Sequence, residues 1–291
     1  MIQPGARIAA VAPSGAFRPE LLESGLTIAR AAGFDVAPIG PFPAPLRYLA
    51  GDDHARRDAL VTALSDPAYD AVWLVRGGYG LTRILAALPP DLPERPIIGF
   101  SDATALFCAR PTWAHVHGPM LHSLAASDAD SQRALFDLLR GASPEAPWRG
   151  DGIVGGRAQA PVVGGNLCLL AALCGTPHQL DARGRILMLE EVGEPAYKLD
   201  RLLQQIRSAG VLDGVAAVAV GELHDCHLPP GVTWTHNDVL MDHLGGLGVP
   251  VVTGLPFGHG ARNHPFVWGH HATLDGDAGT LTHHGAAPPL A

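Results

Sequence analysis

Residues 96–108, Pro-Ile-Ile-Gly-Phe-Ser-Asp-Ala-Thr-Ala-Leu-Phe-Cys, decide the fold. Pro96 to Phe100 reads as a short buried strand, and Ala103 to Cys108 opens a helix with almost no loop between them. The same unit recurs upstream. Arg7 to Ala12 is an apolar run stopped by Pro13-Ser14-Gly15, followed by an amphipathic helix from Pro19 to Ala32 that ends at Gly33. A strand at Asp35 to Ile39 precedes a helix at Asp53 to Leu64, with Leu60 and Leu64 four apart. Tyr69 to Val75 is a buried strand, and Arg76-Gly77-Gly78-Tyr79-Gly80 turns into a helix that runs through Leu88. Repeated strand–helix units predict an α/β protein, a parallel sheet with helices on both faces. Ligands on such sheets sit at the carboxyl ends of the strands.

The 291 residues suffice for two domains. After a helix at Asp130 to Arg140 the chain reaches Gly141-Ala142-Ser143-Pro144, which divides an N-terminal domain (1–145) from a C-terminal one (146–291). In the second, strands are expected at Pro161–Val163, Ile186–Leu189, Val215–Val220 and Val249–Val251, and helices at Leu167–Cys174 and Leu199–Ala209. Ala272–Leu274 and Thr280–Thr282 read as a terminal hairpin around Asp275-Gly276-Asp277-Ala278-Gly279. Gly164-Gly165-Asn166 reads as a turn with an asparagine helix cap.

With 47% hydrophobic and 16% charged residues, a sizeable core is expected and disorder is excluded. The formal charge is −8 with no basic cluster, which argues against nucleic acid as a partner. No apolar run reaches the ~18 residues that span a bilayer. The opening residues lack the marks of a secretory signal. Cys108, Cys168, Cys174 and Cys226 form no CxxC pair and fit buried reduced thiols. A soluble cytoplasmic protein is therefore expected.

Ser101 stands where strand meets helix, with Gly99 two residues before and Ala103 two after. A nucleophile elbow needs that pattern, because its sharp turn crowds the flanking side chains. Serine at this place also serves as a simple helix N-cap. The Arg76–Gly80 loop can bring bare backbone and its N–H groups against a ligand, or be only a tight turn needing positive φ. Glu190 and Glu191 end a buried strand, where an acid can orient a histidine or lie in water. His259 sits between Gly258 and Gly260 in a loop. Of 15 histidines, the groups His224-Asp225-Cys226-His227, His270-His271 and His283-His284 invite a metal, but none has a zinc-site spacing, and no metal is expected.

In this order the motifs resemble the LD-carboxypeptidase family of serine peptidases, whose other branch is the microcin C self-immunity peptidases. The matching segments are VAPSG (11–15), YLAGDDHARRDAL (48–60), RGGYGLTRIL (76–85), GFSDATALF (99–107), HGPM (117–120), GGNLCLLAALCGTP (164–177), LMLEEVGEPAYKLDRLLQQI (187–206) and LPFGHG (255–260). The resemblance implies a Rossmann-like N-terminal domain and a C-terminal α/β domain with barrel-like strands. It implies a triad of Ser101 as nucleophile, Glu190 as acid and His259 as base. The oxyanion hole would be the backbone N–H of Asp102 and of Gly78, the choice between Gly77 and Gly78 being open.

The implied reaction is release of terminal D-alanine from murein tetrapeptide in cell-wall recycling, with no cofactor, by a homodimer whose partner is a small peptide. The other branch would hydrolyse a peptidyl-nucleotide or acyl-sulfamoyl adenylate, and a non-catalytic two-lobed binding protein would keep the fold without a reactive serine. The chain is short for the microcin branch, which favours the muropeptide one. For the substrate carboxylate, Arg76 is the candidate and Arg83 the second, each also readable as structural. Lys198, the one lysine, is an alternative base within a solvated helix start. The segment after residue 260, Asn263-His264-Pro265-Phe266-Val267-Trp268-Gly269, departs from the family's apolar stretch.

Overall fold

The computed structural model describes residues 2, 5–40, 42–142 and 146–285. The boundary expected after Gly141-Ala142-Ser143-Pro144, between residues 145 and 146, falls on residues 143–145, which lie outside the described residues. The chain divides into two compact units, the first ending at Ser143, the second beginning at Pro144, with a return to the first at His264–Val267.

The first unit runs β1 (Arg7–Val11), α1 (Pro19–Ala31), β2 (Asp35–Pro38), α2 (Asp53–Ser65), β3 (Ala71–Leu74), α3 (Leu81–Ile84), β4 (Ile97–Gly99), α4 (Ala103–Ala109), β5 (His115–His117), α5 (Leu121–Leu124) and α6 (Ala129–Leu139). Strands β1, β3 and β4 are almost wholly buried, which is why they read as apolar runs and not as alternations; β5 is as buried but carries two histidines. Helix α1 buries Leu22, Leu26 and Ala29, one face at helical spacing, and carries Pro19 and Glu20 in its first turn. Five strands pair in parallel in the order β5-β4-β3-β1-β2. Because β1 lies between β2 and β3, the winding reverses there. The loops that follow β1, β3 and β4 leave neighbouring strands at their carboxyl ends. Those loops are Pro13-Ser14-Gly15, Arg76–Gly80 and Phe100-Ser101-Asp102.

The second unit runs β6 (Trp148–Arg149), β7 (Asp151–Val154), β8 (Arg157–Asn166), α7 (Leu167–Ala172), β9 (Ile186–Val192), α8 (Ala196–Ser208), β10 (Ala217–His224), α9 (His236–Leu244) and β11 (Val251–Thr253). Strand β12 (Phe266–Val267) pairs antiparallel with β5 in the first unit, and β13 (His271–Asp275) and β14 (Thr280–His283) close the second. Its eight strands lie in the order β6-β14-β13-β8-β9-β10-β11-β7, with β8 to β11 parallel. The two edge strands, β6 and β7, are separated in sequence by Gly150 alone, so the sheet curls until it is nearly a closed barrel. At the same end of the sheet the β6–β14 and β8–β13 ladders run on past the strands, Gly150 N–H donating to the Gly279 carbonyl at 2.9 Å and Gly276 N–H to that of Gly156 at 2.8 Å.

One local expectation is corrected. Gly164 and Gly165 are not a turn but the last part of β8, with Gly164 opposite Met188 on β9. At φ 128° a Cβ on Gly164 would stand 2.1 Å from the Met188 carbonyl oxygen, so the two backbones are closer than any side chain allows. Asn166 does cap α7, its side chain accepting from Leu169 N–H. Among the described residues no helix is long and apolar enough to cross a membrane.

Candidate active site

In the first unit, Ser101 has φ 61°, a left-handed conformation rare for a residue with a Cβ. The reading of Ser101 as a plain cap is thereby set aside. A capping serine keeps an extended backbone, and α4 shows no side-chain cap hydrogen bond. Instead the chain turns sharply: Ala103 N–H donates to the Phe100 carbonyl and Thr104 N–H to that of Ser101. The turn is tight enough that a Cβ on Gly99 would sit 3.1 Å from that of Ala103. Such a backbone costs of order 1–3 kcal/mol and persists only where its surroundings enforce it. The Ser101 side chain is part-exposed while Phe100, Asp102 and Ala103 are buried.

The Arg76–Gly80 loop lies beside it. A Cβ added to Gly77 would meet the Ser101 Cβ at 3.0 Å and its Oγ at 3.1 Å, so any larger residue would press on the serine. The Gly77 carbonyl accepts from Gly15 N–H at 2.9 Å. In a trans peptide this turns the Gly78 N–H the opposite way. Neither that N–H nor the one of Asp102 meets an acceptor among the described residues. The Asp102 carboxylate is wholly buried and accepts from Leu81 N–H at 2.9 Å. Burial raises its pKa, with the Leu81 N–H, Ser14 and the Arg56 charge opposing.

In the second unit, β9 carries Glu190 and Glu191, 0% and 2% exposed; neither is a solvated strand end. Alternation along the strand sends them to opposite faces. Glu191 accepts from Asn166 Nδ2, Cys168 N–H and Val192 N–H, closing the start of α7. Burial raises the pKa of Glu191, and the neighbouring Glu190 charge adds to it. Glu190 Oε2 accepts from His259 Nδ1 at 2.6 Å. The loop that presents His259 is anchored by Glu222 N–H donating to the Phe257 carbonyl and by Gly258 N–H donating to Asn263 Oδ1. Gly258 has φ 135°, and a Cβ there would come 3.3 Å from Glu190 Cβ, which explains glycine before the histidine. Burial works against the imidazolium, but the Glu190 charge and hydrogen bond outweigh it and raise the His259 pKa above 6.5. With Nδ1 bound to a carboxylate, Nε2 carries the basic lone pair.

Glu190 and His259 are thus brought together within one unit, and Ser101, Gly78 and Asp102 within the other. The remaining candidates have structural partners. Arg76 is exposed and docks its guanidinium on the Ala16 carbonyl, and Arg83 pairs with Asp53 at 2.6 Å. Lys198 lies 3.4 Å from Glu194 on an exposed helix start. Among the described residues no group of three or more His, Cys, Asp or Glu is placed to hold a metal ion. The cysteines are free; Cys108 and Cys226 are buried, Cys168 and Cys174 half-buried.

Sequence reasoning missed Arg56, which is 1% exposed. It occupies the buried face of α2 with Leu60, Ala63 and Leu64, and that periodicity was the available signal.

Comparison with known proteins bears on both units. Residues 8–120 match the LD-carboxypeptidase N-terminal domain and residues 159–274 the LD-carboxypeptidase C-terminal domain. The murein tetrapeptide carboxypeptidase of Pseudomonas aeruginosa is 33% identical over 93% of this chain and 94% of its own. The crystal structure of a muramoyltetrapeptide carboxypeptidase from Oxalobacter formigenes superposes with a TM-score of 0.84 at 25% identity, covering 96% of this chain and 98% of that one. MccF in complex with glutamyl sulfamoyl guanosine shares the fold, with a TM-score of 0.82 at 19% identity over 99% of this chain and 97% of that one.

Proposed function

The chain belongs to the LD-carboxypeptidase family, and from that premise we propose that it is a serine carboxypeptidase cleaving an L-to-D peptide bond. Murein tetrapeptide is the substrate and terminal D-alanine the product. The observation that carries the reading is the left-handed backbone of Ser101 at the end of β4, which holds a hydroxyl out of the turn at the cost of strain.

In the proposed reaction Ser101, Glu190 and His259 act as one triad. His259 Nε2 takes the Ser101 proton as Oγ attacks the scissile carbonyl. Glu190 holds the imidazole tautomer and stabilises the cation that forms. The Gly78 and Asp102 N–H groups receive the tetrahedral oxyanion, and a lost donor of this kind costs about 10²–10³ in rate. Collapse gives an acyl-enzyme and frees D-alanine, its nitrogen protonated by His259. Water, deprotonated by the same imidazole, then releases the shortened peptide. The free Gly78 N–H and the strong Glu190–His259 hydrogen bond support these roles. The enzyme works in the cytoplasm, as a homodimer, on recycled cell-wall peptides.

Turnover of a murein tetrapeptide and of an aminoacyl-sulfamoyl adenosine, compared with products identified by mass, tests the substrate. The reading expects loss of one C-terminal alanine and little or no action on the nucleotide. Faster cleavage of the sulfamoyl adenosine would assign the microcin-type activity, and no turnover of either would favour a binding protein.

A further inference from the structure

We infer that Arg56 is a positioning residue, whose buried guanidinium sets the Gly77–Gly78 backbone beside the nucleophile; the inference rests on the catalytic reading above. Burying a guanidinium costs several kcal/mol unless it is paired and hydrogen-bonded, so its place in the core asks for a reason. Its Nη1 donates to two loop carbonyls, those of Pro13 and of Gly80, the latter at 2.9 Å. Its Nη2 meets Asp53 Oδ1 at 2.5 Å. Asp53 also receives the Arg83 fork at 2.9 and 2.6 Å, and the two arginines, Arg83 foremost, hold its carboxyl down to about 2. The counter-ion therefore stays charged at any assay pH.

The Gly80 carbonyl belongs to the same peptide unit as the Leu81 N–H, which the Asp102 carboxylate accepts at 2.9 Å. One peptide plane is thus gripped on one side from α2 and on the other from the serine turn. At the far end of the loop, Gly77 is held through its carbonyl by Gly15. Between these two fixed peptides lie only the α-carbons of Gly78, Tyr79 and Gly80. The guanidinium packs so closely on the loop that a Cβ at Gly80 would come 2.5 Å from Nη1. The Pro13 carbonyl, on the same Nη1, ties the loop after β1 into the clamp. Lysine offers a point charge in place of this planar fork and cannot repeat the arrangement.

The test uses Arg56→Lys in the full chain, with Asp53→Asn as a second variant should the first fail to fold. Two readouts are taken: kcat and KM on a murein tetrapeptide, and amide hydrogen exchange across residues 76–81. We expect kcat to fall about 10–100-fold with KM within about threefold, as for a displaced oxyanion donor. Exchange at 76–81 should quicken about tenfold or more while β1, β3 and β4 keep their protection. A folded variant with kcat within twofold of wild type, or with unchanged exchange at 76–81, overturns the inference. So does a loss of protection spread over the whole unit, which would make Arg56 a fold anchor only. If the wild-type chain cleaves no tetrapeptide, the catalytic reading fails on its own, and the exchange result still upholds or rejects the clamp.

Discussion

His259 and Glu190 carry a pH prediction. General-base catalysis needs a neutral imidazole, so kcat/KM falls tenfold per pH unit below the His259 pKa. Because the Glu190 charge and hydrogen bond raise that pKa, the acidic limb should lie above pH 6.5. Glu190→Gln removes the larger raising influences and leaves only the Glu191 charge to oppose burial, which lowers it. The limb should move to lower pH while the rate at the optimum drops about 10³–10⁴, as expected when the imidazole loses its orienting carboxylate. A limb that stays in place would mean that another group titrates. At this scale the sequence was only partly legible. Ser101 at a strand–helix junction has one spelling for an elbow and for a cap, and only φ separates them. Two adjacent glutamates at a strand end read equally as an acid that orients a histidine and as carboxylates in water, since lone carboxylates avoid cores. Their burial depends on His259, 69 residues away, and on the Asn166 side chain and Cys168 N–H, which no local pattern announces.

At the scale of elements, strands β1, β3, β4 and β9 were legible because each is an apolar run bounded by glycine, proline or charge. Others were not, β5 and the end of β8 among them. His115-Val116-His117 forms β5 although both histidines are buried, so it lacks the apolar signature. Strand β8 extends to Asn166 because Gly164 and Gly165, ordinarily turn residues, let β8 and β9 approach closely. Gly164→Ala should therefore be costly: an unfavourable φ and a backbone clash together predict a loss of about 3 kcal/mol or more. Thermal unfolding should shift down by roughly 6–12 °C. A shift under about 2 °C would show that the two strands can part without penalty.

Across the whole molecule, histidines in both units contribute to acid stability: burial lowers His115 in the first and His283 in the second, each to about 3. His115 is fully buried and its pKa is lowered to about 3, by burial first, with the bond to the Arg110 carbonyl opposing. The folded state therefore binds its proton less readily than the unfolded one. Stability is full above the unfolded pKa of about 6.5 and is lost as pH falls toward 3, by about 1.4 kcal/mol per unit. His115→Gln should reduce the slope of denaturation midpoints between pH 6 and 4; an unchanged slope would place the titrating group elsewhere. The parallel sheet of the first unit was legible from the alternation of strand and helix. The return of His264–Val267 to the first sheet was not, since two residues of strand carry no periodicity. The whole account turns on Ser101, and the most direct check is kcat for D-alanine release by Ser101→Ala against wild type on a murein tetrapeptide. The account predicts a fall of at least about 10³ in a variant that folds as the parent does; turnover within tenfold of wild type would contradict it.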